Sequence, residues 1–164
     1  MKNISILLVS FLFSHAQLSA QSPVLEEVYQ IYFNLKDALV QTDPKAASAV
    51  AKQMALQIPT VQARLSSKET KVGWEKLANS ILEDAEHIAE SNDISHQRDH
   101  FISLSQTVYA AMKISKPVAP VYYQFCPMAN NGKGANWVSK EKNIKNPYYG
   151  KMMLTCGKVA ETLE

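Results

Sequence analysis

Long hydrophobic runs, unbalanced charge and internal repeats are absent from most of this 164-residue sequence. Beyond its first residues no stretch is apolar enough to cross a bilayer, so we expect no membrane insertion. Seventeen basic and fifteen acidic residues give a net charge of +2, which gives no reason to expect a nucleic-acid partner. Only five glycines are present, and the composition is that of a globular domain.

Motifs for catalysis are also missing. The sequence contains no Gly-x-Ser-x-Gly elbow, no Cys-x-x-Cys pair and no glycine-rich phosphate loop. Cys126 and His100 could be imagined as a nucleophile and its base, but the sequence identifies neither an oxyanion site nor an orienting carboxylate for them. We therefore expect that the protein is not an enzyme.

The first residues have the parts of an export signal. Lys2 supplies a positive charge, the apolar run over residues 4–13 is too short to span a membrane, and small residues end at Ala20. We expect that residues 1–20 are cleaved and that the mature chain starts near Gln21, in the periplasm or outside the cell. No cysteine directly follows the apolar run, so a lipid anchor is not expected.

Residues 21–164 are long enough for one domain with its own core. Four segments carry apolar residues at helical spacing, and each lies between capping or breaking signals such as Asp43-Pro44. We predict that Pro59 ends the second helix. The predicted helices span residues 23–41, 44–57, 68–90 and 94–113. Short connections between amphipathic helices favour an antiparallel four-helix bundle, which is a mainly α fold.

The tail, residues 117–164, differs in kind from the helices. Pro117 and Pro120 end helical structure, and the stretch VAPVYYQFC over residues 118–126 is rich in β-branched and aromatic residues, which predicts a short strand. The remainder mixes turn signals with apolar residues. We expect an irregular or short-β tail that packs against the bundle.

Sulfur is concentrated in this tail. Cys126 and Met128 lie in QFCPMANNG, and Met152, Met153 and Cys156 lie in KMMLTCG; these two stretches hold both cysteines and three of the six methionines. Copper(I) prefers thiolate, thioether and imidazole ligands, so the five residues predict a soft-metal site. Zinc is less expected, because it would use two cysteines and two histidines and leave the methionines idle.

His100 is the nitrogen ligand that the sequence indicates for this site. On the fourth predicted helix it lies at the edge of the apolar stripe, where it could face the tail. His96 precedes it by four residues, a spacing at which two histidines of one helix can hold a metal ion by themselves. For His87 the sequence identifies no partner.

A structural disulfide is the alternative for the cysteines. Two cysteines in an exported protein form a bridge by default, and a Cys126–Cys156 bridge would close a loop of about 30 residues and stabilise the fold by about 3–4 kcal/mol. The protein would then be a stapled, non-catalytic interaction module. Both interpretations require the two sulfurs to meet. For metal binding, Lys151 and Lys158 are expected to favour the thiolate of Cys156.

Four stretches, YYQFCPMANNGKGANWVS, IKNPYYGKMMLTCG, QRDHFISLS and LKDALVQTD, resemble the bacterial domain-of-unknown-function family 3347. That family is known chiefly from Bacteroidetes as small exported proteins, and similar segments end some periplasmic adaptor subunits of heavy-metal efflux systems. The resemblance implies a helical domain associated with copper or related metals. A periplasmic efflux or metal-handling protein is the implied partner. We therefore expect an exported, soluble copper(I)-binding protein that serves sequestration or transfer.

Overall fold

A computed structural model describes residues 23–164, so the predicted export signal lies outside the described residues. The fold is mainly α, with four helices followed by a small antiparallel sheet, which confirms the predicted bundle and short-β tail. The elements are α1 Pro23–Gln41, α2 Pro44–Arg64, α3 Lys68–Glu90, α4 Ile94–Ser115, β1 Val121–Cys126, β2 Ala135–Ser139, a 3-10 turn Gly150–Met152 and β3 Lys158–Leu163.

Side chains that the sequence offers as caps define where the helices begin. Asp43 accepts a hydrogen bond from the Ala46 backbone at 3.0 Å, and Asp93 accepts one from the Ser95 backbone at 2.8 Å. Such caps satisfy N–H groups that the first helical turn leaves free. Each helix packs mainly against its neighbour in sequence. No helix within residues 23–164 is both long and apolar enough to cross a membrane.

The second helix is longer than predicted, because it continues through Pro59 to Arg64. Proline removes one N–H group from the helix, but Pro59 is exposed, so water can solvate the carbonyl left without a partner. Val61 is fully buried in the last turns. Arg64 also forms a two-pronged ion pair with Glu27 of α1, at 2.7 and 2.8 Å. These contacts outweigh the local preference of proline for ending a helix.

The tail forms a three-stranded sheet in the order β2–β1–β3. β1 pairs with β2 across a hairpin, with Gln124 opposite Trp137, and it pairs with β3 on its other edge. Four residues with positive φ angles reverse the chain in this hairpin, namely Asn130, Asn131, Gly132 and Gly134. Asparagine and glycine are residue types that tolerate this conformation. The predicted strand is β1; the sequence did not identify β2 or β3.

A tyrosine from the first helix joins the sheet to the bundle. The hydroxyl of Tyr32 accepts a hydrogen bond from the Val138 backbone at 3.0 Å and shares another with Ser105 of α4 at 2.8 Å. All three residues are fully buried. The Tyr32 ring also stacks on Phe101, with the ring centroids 5.2 Å apart. One side chain thus connects α1, α4 and β2.

The turn that precedes β3 contacts the corner between α1 and α2. Gly150 has a φ of +54°, and a Cβ placed there would come within 2.4 Å of the Thr42 hydroxyl and 2.8 Å of the Val40 carbonyl. Arg98 of α4 donates to the Pro147 carbonyl at 2.8 Å and to the Thr42 hydroxyl at 3.1 Å. The second half of the tail is therefore fixed to the bundle as well.

Candidate functional site

The tail brings the two cysteines together, as predicted. Cys126 is the last residue of β1 and is fully buried, whereas Cys156 lies in the turn before β3 and is half-buried. Both are free thiols, and their sulfurs are 3.1 Å apart. Phe125 pairs with Lys158, so the β1–β3 register places the end of β1 beside Cys156. The buried amide of Asn146 donates to the Cys156 carbonyl at 2.8 Å and holds the turn.

The neighbouring sulfur raises the pKa of the Cys156 thiol. A hydrogen bond with Cys126 is the main cause, and desolvation and the charge of Cys126 act in the same direction. We expected Lys151 and Lys158 to lower this pKa. The contact with Cys126 outweighs any such effect, because the second thiol is adjacent in space whereas the lysines are only close in sequence.

The tail methionines lie outside the core. Met128 is 53% exposed and Met152 is 77% exposed, while Met153 is half-buried. Met128 lines an open cavity of about 310 Å³ together with Cys156 and Phe125. Met152 instead lines a different cavity, next to the start of α4. The structure thus places Met128 beside the sulfur pair and directs Met152 elsewhere, although the sequence did not distinguish them.

His100 does not join the sulfur pair. In the part of the chain that the structure describes, no histidine or carboxylate forms a three-ligand group with Cys126 and Cys156. The tail packs on a neighbouring face of α4, where Phe101 contacts Tyr148. His100 faces α3 instead, with its Nδ1 atom 3.1 Å from Oδ1 of Asp84. The prediction that His100 faces the tail and joins the sulfur site is therefore wrong.

Three histidines meet where α3 and α4 are connected. His87 lies in the last turn of α3, and His96 and His100 lie in the first two turns of α4. They offer nitrogen atoms that all lie within 4.8 Å of one another, an arrangement that could hold a metal ion. The sequence alone identifies no partner for His87. His87 precedes the short connection at residues 91–93 by about as many residues as His96 follows it. This spacing is the sequence signal that could have indicated that the two side chains lie close together.

The family model for proteins of unknown function designated DUF3347 matches residues 28–119. This match covers more than half of the chain. The chain belongs to the DUF3347 family. No curated protein and no solved structure matches it.

The part of this DUF3347 protein that matches the family contains most of the helical bundle. It includes the three histidines and ends at residue 119, before β1. Family membership therefore supports the helical domain. The sulfur pair lies outside the matched residues, so its chemistry has to be argued from the tail itself.

Proposed function

We propose that this protein is exported, that it binds copper(I) for sequestration or transfer, and that it catalyses no reaction. The observation that carries this proposal is the 3.1 Å separation of the Cys126 and Cys156 sulfurs. Met128 lines the same cavity as Cys156 and adds a thioether. Two thiolates and one thioether are the ligand types that copper(I) prefers.

A small movement adapts the sulfur pair to an ion. Metal–sulfur bonds of about 2.3 Å at tetrahedral angles place two sulfurs about 3.8 Å apart, so the pair has to widen by less than about 1 Å. Cys126 is fixed at the buried end of β1. Cys156 is half-buried and precedes β3, so we expect the Cys156 side chain, rather than that of Cys126, to rotate. The exposed Met128 side chain can approach from the solvent side.

A structural disulfide is the second candidate, and the same distance favours it. The sulfurs would have to approach from 3.1 Å to the S–S bond length of about 2.05 Å. Oxidation would remove the thiolates and with them the copper site. The stapled tail would then serve as an interaction surface, and a periplasmic efflux or metal-handling protein is the partner we propose for it.

Titration with copper(I) against a competing chelator, without oxygen and with fully reduced protein, tests the proposal. We expect the double variant Cys126→Ser with Cys156→Ser to lose binding and Met128→Leu to weaken it about tenfold, the effect of about 1.4 kcal/mol. Met152→Leu is the matched control, because Met152 is also exposed but lines another cavity. If the wild type and the double serine variant compete equally poorly, the copper site does not exist.

Export is a separate part of the proposal and has its own test. Intact-mass measurement of the protein recovered from cells should show a chain that starts near Gln21 and carries no lipid. A soluble cytosolic product that retains residues 1–20 would contradict export, whatever the outcome of the metal titration.

A further inference from the structure

The three histidines at the α3–α4 connection form a compact group, with one pair of rings stacked and the other two pairs edge to face. The His87 and His100 rings stack with centroids 4.4 Å apart and an interplanar angle of 12°, and the His96 and His100 centroids are 4.7 Å apart. Zinc–nitrogen bonds of about 2.0–2.1 Å at tetrahedral angles place ligand nitrogens about 3.4 Å apart. The nitrogens here lie within 4.8 Å of one another. The lone pairs of two stacked rings do not converge, so the exposed His87 side chain has to turn for its nitrogen to face the same ion as His100.

Asp84 fixes the orientation of one of these rings. Its carboxylate oxygen Oδ1 is 3.1 Å from His100 Nδ1 and also accepts a hydrogen bond from the Ser103 hydroxyl at 2.8 Å. The Asp84 side chain is only 12% exposed. A carboxylate at Nδ1 selects the tautomer with the proton on that nitrogen, which leaves Nε2 free as a ligand. Carboxylate–histidine pairs of this kind orient the ligands of metal sites.

Core packing does not account for the group. His87 and His96 are exposed, so neither fills the interior. Within residues 23–164, neither ring makes a hydrogen bond, and both rings contact the rings of the other histidines. Each of these two rings can therefore offer one nitrogen as a ligand, within 4.8 Å of a nitrogen of His100.

We propose that His87, His96 and His100 form a second metal site, independent of the sulfur pair, for a borderline divalent ion such as Zn²⁺ or Cu²⁺. Imidazole suits these ions, whereas copper(I) finds its preferred thiolates at the other site. Three protein ligands leave a fourth tetrahedral position open for water or for an exchanging ligand. The bound ion would link the end of α3 to the start of α4.

Binding of Zn²⁺ and Co²⁺ to the purified, reduced protein tests this site. Cobalt reports its ligands, because thiolate coordination adds an intense near-ultraviolet charge-transfer band that nitrogen ligands do not produce. We expect one Co²⁺ ion to give visible d–d bands without that sulfur band. The spectrum should be the same in the Cys126→Ser with Cys156→Ser variant. A sulfur band that disappears in this double variant would place the ion at the cysteines and overturn the proposal.

Single substitutions define the ligands. His87→Ala, His96→Ala and His100→Ala should each lower the Zn²⁺ affinity at least tenfold, while Glu75→Ala, an exposed change elsewhere on α3, should leave it unchanged. His87→Ala is decisive because it removes the only ligand from α3 and keeps the His96–His100 pair. Unchanged affinity in this variant would overturn the three-histidine site.

Two further measurements separate ligation from folding. Zn²⁺ should raise the thermal midpoint of the wild type but not of His87→Ala, because only a ligand of the native state stabilises it. Asp84→Asn should keep the helical circular dichroism, alter the Co²⁺ d–d spectrum and lower Zn²⁺ affinity about ten- to hundredfold. An Asp84→Asn protein with wild-type spectrum and affinity would refute the positioning role of this carboxylate.

Discussion

Tyr32→Phe should destabilise the protein by weakening the attachment of the sheet to the bundle. The substitution keeps the ring and its stacking on Phe101 and removes only the hydroxyl. That hydroxyl accepts from the Val138 backbone and shares a hydrogen bond with Ser105. β2 is an edge strand of the sheet, so no other strand is available on that side to receive the Val138 N–H group.

The expected loss of unfolding free energy depends on which groups lose a hydrogen-bond partner. A buried donor without an acceptor costs about 1–3 kcal/mol, and Val138 is fully buried. Ser105 loses less, because a helical serine can turn its hydroxyl to the carbonyl four residues earlier, as Ser115 already does to Ala111 at 3.1 Å. We therefore expect Tyr32→Phe to lower the free energy of unfolding by about 2 kcal/mol.

Tyr29→Phe is the matched control for this prediction. Tyr29 lies one turn earlier on α1 and is also buried, but among residues 23–164 its hydroxyl has only Ser115 as a partner, at 2.6 Å. Ser115 keeps its bond to Ala111, so the control should cost about 1 kcal/mol or less. Urea unfolding followed by circular dichroism and tryptophan fluorescence measures both. Equal losses in the two variants would refute the idea that Tyr32 holds the sheet.

Three other outcomes are expected. Gly150→Ala should destabilise the protein by more than the roughly 1 kcal/mol that a positive φ costs alanine, because the added Cβ would meet the α1–α2 corner. Gly132→Ala should cost only that strain, because a Cβ at Gly132 has open space around it. Similar urea midpoints for the two variants would contradict this prediction. Burial raises the pKa values of Tyr32 and Tyr148. Their contribution to stability is complete below the unfolded pKa of about 10 and is lost as pH rises toward the folded pKa values, so the unfolding free energy should fall by about 1.4 kcal/mol per pH unit per tyrosine above pH 10. Because the chain has seven tyrosines, the check compares the wild type with Tyr148→Phe, and a phenolate absorbance that rises near pH 10 without unfolding and is smaller in Tyr148→Phe would exclude this prediction. Because the pKa of Cys156 is raised, a metal ion must displace the proton of this thiol to bind it. The copper(I) affinity, measured by chelator competition, should therefore rise with pH through the neutral range. An affinity that does not change with pH would count against thiolate ligation by Cys156.

Local signals explain why the helices could be predicted. Cap residues such as Asp43 and Asp93 act on the next few residues, and apolar spacing reports one helix face at a time. Pro59 shows the limit of such signals, because the ion pair between Arg64 and Glu27 depends on a second helix. β3 was missed for a similar reason: its partner β1 lies more than thirty residues earlier, and a six-residue exposed strand carries a weak pattern of its own.

For the candidate sites too, the sequence predicts what depends on local pattern and does not predict what depends on contacts between elements. The concentration of cysteines and methionines in the tail predicts that the sulfurs of Cys126 and Cys156 meet, because a metal site and a disulfide both require it. The placement of His100 depended on which face of α4 the tail covers, and no periodicity within α4 determines that. Finding His87 required joining two helices about their connection, so the histidine group became visible only with the fold.

The hydrogen bond between Tyr32 and Val138 spans 106 residues, and this separation has a consequence for the order of folding. The helices contact their sequence neighbours, and such contacts close short loops and form early. The sheet can dock only after α1 and α4 are side by side, so the tail should assemble last. Until then we expect the two thiols to be apart and open to solvent. An alkylating reagent added early in refolding should therefore label both cysteines, whereas after docking it should label Cys156 first, because Cys126 is then fully buried.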